Sequence, residues 1–580
     1  MRLGPIIMGA SFGALSAGLV IALTQCTTLD SQSVANPPPN RYGSYLAGRH
    51  AANERDADAA ALYFDKALKF DPENPELLER AIMSQVAQGD LDGAAAHAAD
   101  LVVRAPNARI PHLVIGVRAM RDAGYAKARE ELGKVTGNAA AEIGARLGVA
   151  YAYFAEGNFA EAKAAADKMA ETEGVRAFAR YHLAAIEDLS GRTKDALTHF
   201  EEANRLSNGE SLRILHAYAT HLARSGQVQK AKEIYLEFLK KAPTNPVAKA
   251  ALAGLESSAV PPRVIAGAKQ GVAESFYGIA SSLSDERSIE VPIFYLQLAL
   301  ALDPHHELAL SLLADRLETA ERLEDADVVY GRIEATSPLY LNARQQIAQN
   351  LVKLKKPAEA LAVLQASLKG TADDIEIYAS IGDVLRGEER YADAGDAYTK
   401  AIALLKQPEE RHWTLYYTRG ISYERSKRWS DAERDLKFAL KLKPEQPLVM
   451  NYLAYTWVEQ GANMQEALAM LKRAVELRPE DGFIVDSLGW AHYRMGDFQT
   501  AIKYLEQAIL IEPSEATIND HLGDAYWRVG RKLEARYQWQ HALTLKPEKA
   551  DEPKIREKIA MGLPDLPRVP AQAGSPKSAQ

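Results

Sequence analysis

The sequence is nearly free of cysteine: Cys26 is the only one in 580 residues. No intrachain disulfide and no cysteine zinc site can form. Basic charge is also short, with 69 Lys and Arg against 77 Asp and Glu and a net charge of −8. That balance argues against nucleic-acid binding, which needs a basic surface. There is no Gly-Lys-Ser/Thr phosphate loop and no His-Glu-x-x-His zinc helix. His305-His306-Glu307 follows Pro304 and reads as a turn rather than a metal site. His216 and His221 are five apart and share no helix face.

What the chain has in abundance is one repeated pattern. Residues 482–513, GFIVDSLGWAHYRMGDFQTAIKYLEQAILIEP, read as two amphipathic helices. The first runs over about Phe483–Met495, Gly496-Asp497 breaks it, and the second runs over about Phe498–Ile511 until Pro513. Gly489 lies mid-helix, where it costs about 1 kcal/mol relative to Ala, and is expected to admit a close partner helix. Ala501 and Ala508 are the small positions opposite, with Leu488, Tyr504 and Leu505 to fill the space between.

The unit recurs. The first alanine of the second helix falls at 60, 94, 128, 162, 196 and 231, then at 326, 360, 394, 432, 467, 501 and 535. The position four residues on is Phe64, Ala98, Leu132, Ala166, Phe200, Tyr235, Tyr330, Leu364, Tyr398, Leu436, Leu471, Leu505 and Trp539. A degenerate unit around Val291 and Ala299 brings the total to about fourteen. Gly489, Ala501, Leu505, Ala508 and Pro513 match the tetratricopeptide repeat (TPR) position by position, and the chain resembles that family from Arg41 to Pro547. The resemblance implies an all-α solenoid, a right-handed superhelix of helical hairpins in which each repeat buries its apolar face against its neighbours. No stretch outside the repeats is long enough for a catalytic domain, so no enzyme activity, cofactor or metal is expected.

The ends differ from the repeats. Only Arg2 is charged before Asp30, and residues 5–23 are apolar or small, as in a bacterial signal sequence. Cys26 follows directly in Leu23-Thr24-Gln25-Cys26, which resembles a lipobox, although Gln25 replaces the small residue that pattern prefers. Residues 1–26 are therefore expected to be a signal and lipidation segment, with Cys26 carrying the lipid. An uncut membrane anchor and soluble export by cleavage after Ser33-Val34-Ala35 are the alternatives. All three put the repeats outside the cytoplasm. Residues 27–40 form a polar, proline-rich linker and 41–255 a first, Ala-rich array expected to be the more deformable half. Residues 256–271, with Pro261-Pro262, interrupt the helices as a hinge or boundary. A second array fills 272–547, a capping helix 548–562, and a disordered tail 563–580.

The inner face of such an array is lined by the first helix of each repeat. By resemblance, the positions on it are Tyr417, Ile421, Glu424 and Arg425; Asn451, Tyr455 and Glu459; Phe483, Asp486, Trp490, Tyr493 and Arg494; and Asp520, Asp524, Trp527 and Arg528. Aromatics beside Arg and Asp have the composition of a protein-binding hot spot. The Asp residues are expected to select basic residues of a partner segment. The bland alternative has the rings packing between successive first helices. The Lys/Asn set by which some relatives clamp a peptide carboxylate is absent, which argues against a cytosolic chaperone co-factor.

Residues 450–508, through Asn451-Tyr452-Leu453 and Asp486-Ser487-Leu488-Gly489-Trp490, also resemble bacterial outer-membrane TPR lipoproteins. These are adaptors that dock carboxyl-terminal processing proteases and their cell-wall hydrolase substrates. The resemblance implies a lipid-anchored scaffold on the periplasmic side of the outer membrane, with protein partners and no nucleic acid. A scaffold for envelope polysaccharide export or secretion machinery is the alternative.

Overall fold

A computed structural model of the chain describes residues 40–171, 174–257, 260–283, 289–369 and 374–564. Cys26, the apolar run at 5–23, the linker up to residue 39 and the tail from 565 lie outside the described residues. Among the described residues there are thirty α-helices and no strand. None of these helices is long and apolar enough to cross a membrane.

The first helices come in pairs: α1 (Arg41–Asn53) with α2 (Ala57–Leu68), α3 (Pro75–Ala87) with α4 (Leu91–Arg104), and α5 (Arg109–Arg121) with α6 (Tyr125–Leu132). Then follow α7 (Ala139–Ala155) with α8 (Phe159–Ala170), α9 (Arg176–Leu189) with α10 (Thr193–Leu206), and α11 (Leu212–Arg224) with α12 (Val228–Lys241). A single helix, α13 (Pro246–Glu256), precedes the pair α14 (Ala268–Ser282) and α15 (Glu290–Leu302). Regular pairs resume with α16 (Glu307–Thr319) and α17 (Leu323–Gly331), α18 (Tyr340–Lys353) and α19 (Pro357–Ser367), and α20 (Ile375–Gly387) and α21 (Tyr391–Ala403). They continue with α22 (Trp413–Arg425) and α23 (Trp429–Leu442), α24 (Pro447–Gln460) and α25 (Met464–Leu477), and α26 (Gly482–Arg494) and α27 (Phe498–Ile511). The last pair is α28 (Ala516–Arg528) and α29 (Lys532–Thr544), followed by α30 (Glu552–Met561).

The periodic small residues are the contact points of the pairs. All thirteen recurring alanines, from Ala60 to Ala535, are at most 1% exposed, and all thirteen companion residues at most 3%. In six pairs the large companion packs onto a glycine sixteen residues earlier on the first helix. Gly48 meets Phe64, Gly116 Leu132, Gly382 Tyr398, Gly420 Leu436, Gly489 Leu505 and Gly523 Trp539. A Cβ at any of these glycines would fall 2.5–3.0 Å from that side chain. The second pair exchanges the sizes, with Ile82 on the first helix and Ala98 on the second, both fully buried. Constant register and complementary volume are what a close-packed helix pair requires.

The described residues divide into two compact units, one within residues 40–218 and 263–304, the other within 219–262 and 305–564. This departs from the sequence reading, which placed 272–304 with the later repeats. In the first unit α14 and α15 pack against each other and mainly against first helices: α14 on α7 and α9, α15 on α3 and α5. The degenerate repeat is thus not a further rung of the ladder. It is a helical hairpin lying on the first-helix face of four consecutive repeats.

Composition explains why it goes there. α15 buries Pro292, Ile293, Phe294, Tyr295, Leu296, Leu298, Ala299, Leu300 and Leu302, and a helix apolar on all sides must be enclosed. Its one polar interior residue, Gln297, donates from Nε2 to the Ala87 carbonyl at 3.0 Å. On α14, Gly271 rests on the Tyr151 ring and Gly278 on Phe178, while the Phe276 ring fills the space above Gly144 of α7. Glu274 of α14 accepts a two-pronged pair from Arg213 of α11, at 2.9 and 2.5 Å. Arg263, just past Pro261-Pro262, donates to the Asp188 carboxylate at 2.7 Å and to its carbonyl at 3.1 Å. The stretch expected to act as a hinge therefore ends in a fixed attachment within the first unit.

Candidate partner-binding face

The second unit carries the residues singled out in the sequence. They lie on α22, α24, α26 and α28, the first helices of four successive pairs. The ring of Tyr417 meets Tyr452 edge-on at 6.1 Å, and the Tyr452 hydroxyl donates to Glu424 at 2.9 Å. Burial pushes the Tyr417 phenol up to about 12. Arg425 is exposed, with its guanidinium 5.1 Å from the centre of the Tyr391 ring. Asn451 and Tyr455 follow on α24, both half-buried. Asn451 Oδ1 is buried without a hydrogen-bond partner. Tyr455 is pushed up by burial and by the neighbouring charges of Glu459 and Asp486.

The centre of the face is a stack of three rings. Trp490 lies parallel to His521 at 3.9 Å on one side and to Tyr493 at 4.6 Å on the other. Its indole N–H donates to Glu459 at 2.5 Å. Arg494 donates to the same carboxylate at 2.8 Å and to the Glu459 carbonyl at 3.1 Å. Buried Asp486 accepts from His521 Nδ1 at 3.0 Å. Burial alone would lower the imidazole pKa, but Asp486, with Asp520 and Asp524 nearby, more than offsets it and the pKa is raised. A cationic imidazole stacked on an indole is favourable, because the ring face is electron-rich.

Around α28 the carboxylates are already engaged. Asp520 and Asp524 both hold the ammonium of Lys558, from α30, at 2.8 Å. Asp524 also accepts from the Trp539 indole at 2.9 Å. Trp527 and Arg528 donate to the carbonyls of Leu563 and Pro564, at 3.2 and 2.6 Å. Arg528 also reaches the Tyr493 hydroxyl at 3.2 Å.

The rings therefore do both things weighed from the sequence. They pack between successive first helices, and Trp490 and Tyr493 remain half-exposed beside exposed Arg494. The three aspartates expected to select a partner's basic residues are each paired within the chain. His521, Lys558 and Gly562 were missed: His521 and Lys558 lie one residue from aspartates that were picked or on a helix read as a plain cap. The separation of 34 residues between Asp524 and Lys558 equals the repeat spacing, which is the signal that could have placed Lys558 beside the Asp524 position.

A Tetratricopeptide repeat family model matches residues 39–109, 417–482 and 487–550, the last two spanning the face just described. A TPR repeat-containing protein of Pseudomonas aeruginosa is 28% identical over 158 residues, 27% of this chain and 26% of that protein. A Drosophila melanogaster protein O-mannosyl-transferase is 27% identical over 103 residues, 18% of this chain and 12% of that protein. The matched segments thus span about a quarter and about an eighth of those relatives' length. Among solved structures, the Cut9–Hcn1 hetero-tetramer of the APC/C is 15% identical, covering 90% of this chain and 96% of that one with a TM-score of 0.37. Residues 39–109, 417–482 and 487–550 carry the tetratricopeptide repeat, and the same register of helix pairs with small residues at the pair contacts continues between them as an all-helical array.

Proposed function

We propose that the chain is a non-enzymatic adaptor that holds a partner protein on the first-helix face of α22–α28. The observation that supports this most is the Trp490 stack. A large half-exposed indole, fixed on both sides by rings and hemmed by Glu459 and Arg494, has the make-up of an interaction hot spot. Tyr417, Arg425, Asn451 and Tyr455 extend the surface to one side, and Trp527 and Arg528 to the other, while Asp486, Asp520 and Asp524 hold His521 and Lys558 behind it.

The partner class we propose is a carboxyl-terminal processing protease together with a cell-wall hydrolase substrate, on the resemblance of residues 450–508. The array would act by tethering, raising local concentration without chemistry of its own. We further propose export and lipid attachment through Cys26. Replacing Trp490 and Tyr493 together by Ala should weaken protease binding by about 2 kcal/mol or more, as for hot-spot residues. Hydrolase breakdown in a purified mixture should slow to match. Full affinity in a variant of unchanged helicity would move the site elsewhere. Cys26→Ser should release the protein from membranes or leave an uncut precursor, and a mature-sized, membrane-bound variant would rule out lipid attachment.

A further inference from the structure

The segment that follows the last helix pair behaves as a ligand of the face it borders. From the exposed residues 548–550 the chain enters α30, which packs on α29. Ile555 is buried with Trp539 and Leu522, and Ile559 and Leu563 pack against the same cluster, as do Tyr493 and Trp527. A cap for the last repeat needs only that apolar cover. The polar contacts go further, because they reach the first helix α28. Lys558 bridges Asp520 and Asp524, and the two carbonyls after the helix accept from Trp527 and Arg528. Between them Gly562 has φ +76° and ψ −175°, a conformation open essentially to glycine. A Cβ there would fall 1.9 Å from the Trp527 ring, so the backbone lies flat on the indole.

Two neighbouring aspartates, one of them buried, cannot stay charged without a cation between them. A segment that covers them as α30 does is favoured if it supplies one, since otherwise an aspartate must take up a proton. We propose that residues 552–564 occupy the partner face in cis, and that the partner segment displacing them is a short amphipathic helix built on the same pattern. That pattern is an apolar residue, a Lys or Arg three positions on, an apolar residue at four, and a glycine turn that presents two carbonyls. The proposal rests on the partner-face reading above. It adds that the partner competes with a tethered segment, so its apparent affinity is set by the fraction of chains in which α30 has lifted.

The test uses the full chain and a labelled peptide of residues 552–564. Lys558→Glu puts a third carboxylate between Asp520 and Asp524, and Gly562→Val cannot lie on Trp527. Both variants should lose amide-exchange protection over α30 and bind the peptide at least tenfold more tightly than the unaltered chain. The peptide carrying Lys558→Glu should bind neither. Gly562→Val carries the test if Lys558→Glu disturbs α28 and α29. The proposal is overturned if α30 opens in a variant that takes up no peptide, or if α30 stays protected in both. Dimers formed by exchange of α30 between copies, seen by light scattering, would replace the partner by a second copy. Partner capture by Trp490→Ala/Tyr493→Ala is scored separately, so the adaptor reading can fail while peptide uptake succeeds, and the reverse.

Discussion

Gly271→Ala is the sharpest probe of the hairpin that lies on the first unit. Gly271 is inside α14, where alanine would ordinarily gain about 1 kcal/mol from helix propensity. Here its Cβ would fall 2.2 Å from Cε1 and Cζ of Tyr151. Tyr151 is fully buried and its hydroxyl is 2.9 Å from His182 Nδ1, so the ring cannot swing aside and keep that bond. Overpacking costs about 1–3 kcal/mol, and leaving the buried hydroxyl unpaired about 1–3 kcal/mol more. Less the propensity gain, the net loss should be about 3 kcal/mol. Urea unfolding, with amide exchange resolved over α7 and α14, reads it. Exchange in α26–α28 should not change, since coupling in a solenoid is between neighbours. In a Tyr151→Leu background the same substitution should cost at least about 1 kcal/mol less, because the ring edge is gone. Gly254→Ala in α13 is the control: nothing lies within 4 Å of its Cβ, and it should stabilise by up to about 1 kcal/mol. If Gly271→Ala behaves like Gly254→Ala, α14 does not rest on Tyr151 and the account of the first unit is wrong.

Four other expectations follow from contacts described above. Arg213→Met leaves Glu274 buried without its cation and should destabilise the first unit by about 3–5 kcal/mol, much of it recovered by adding Glu274→Gln, as measured by a double-mutant cycle in urea. Burial lowers the His182 and His216 pKa values to about 4, against about 6.5 unfolded, and the groups facing them are Tyr151, Tyr181, Arg213 and Glu274. Between those values only the unfolded chain takes up the protons, so the first unit should weaken as pH falls from about 6.5 to 4, by at most about 3 kcal/mol per histidine in exchange measurements. His521 has the opposite sign: its raised pKa gives a contribution present in full below about 6.5 and lost as pH rises through the folded value, which His521→Gln should abolish. Gly489→Leu should cost about 1–3 kcal/mol and expose mainly α26 and α27 to exchange, because even a Cβ there lies 2.8 Å from Leu505; an unchanged profile would refute the close contact.

The sequence by itself determined the repeating unit. A short helix pair joined by a fixed turn has one register, so the contact positions recur at a near-constant spacing, and the small and large residues at them could be read directly. Phe498–Ile511 agrees with its expected bounds, and the first helix of that pair is displaced by one residue at each end, to Gly482–Arg494. The resemblance to the tetratricopeptide repeat, laid on that register, implied the first-helix face and most of its aromatic members.

What only the tertiary structure decided is what covers that face. Lys558 meets Asp520 and Asp524 across 38 and 34 residues, and Arg213 meets Glu274 across 61. Lys558 stands one repeat spacing after Asp524, but the separations of 38 and 61 follow no period, and repeat spacing alone does not say which charges will meet. The same holds for α14 and α15. Their spacing admits a degenerate repeat, but burial on all sides of α15 and glycines at 271 and 278 suit a helix enclosed by others. Local pattern fixes which helices form and how each pairs with the next. Long-range volume and charge matching fixes which faces the chain covers with its own segments.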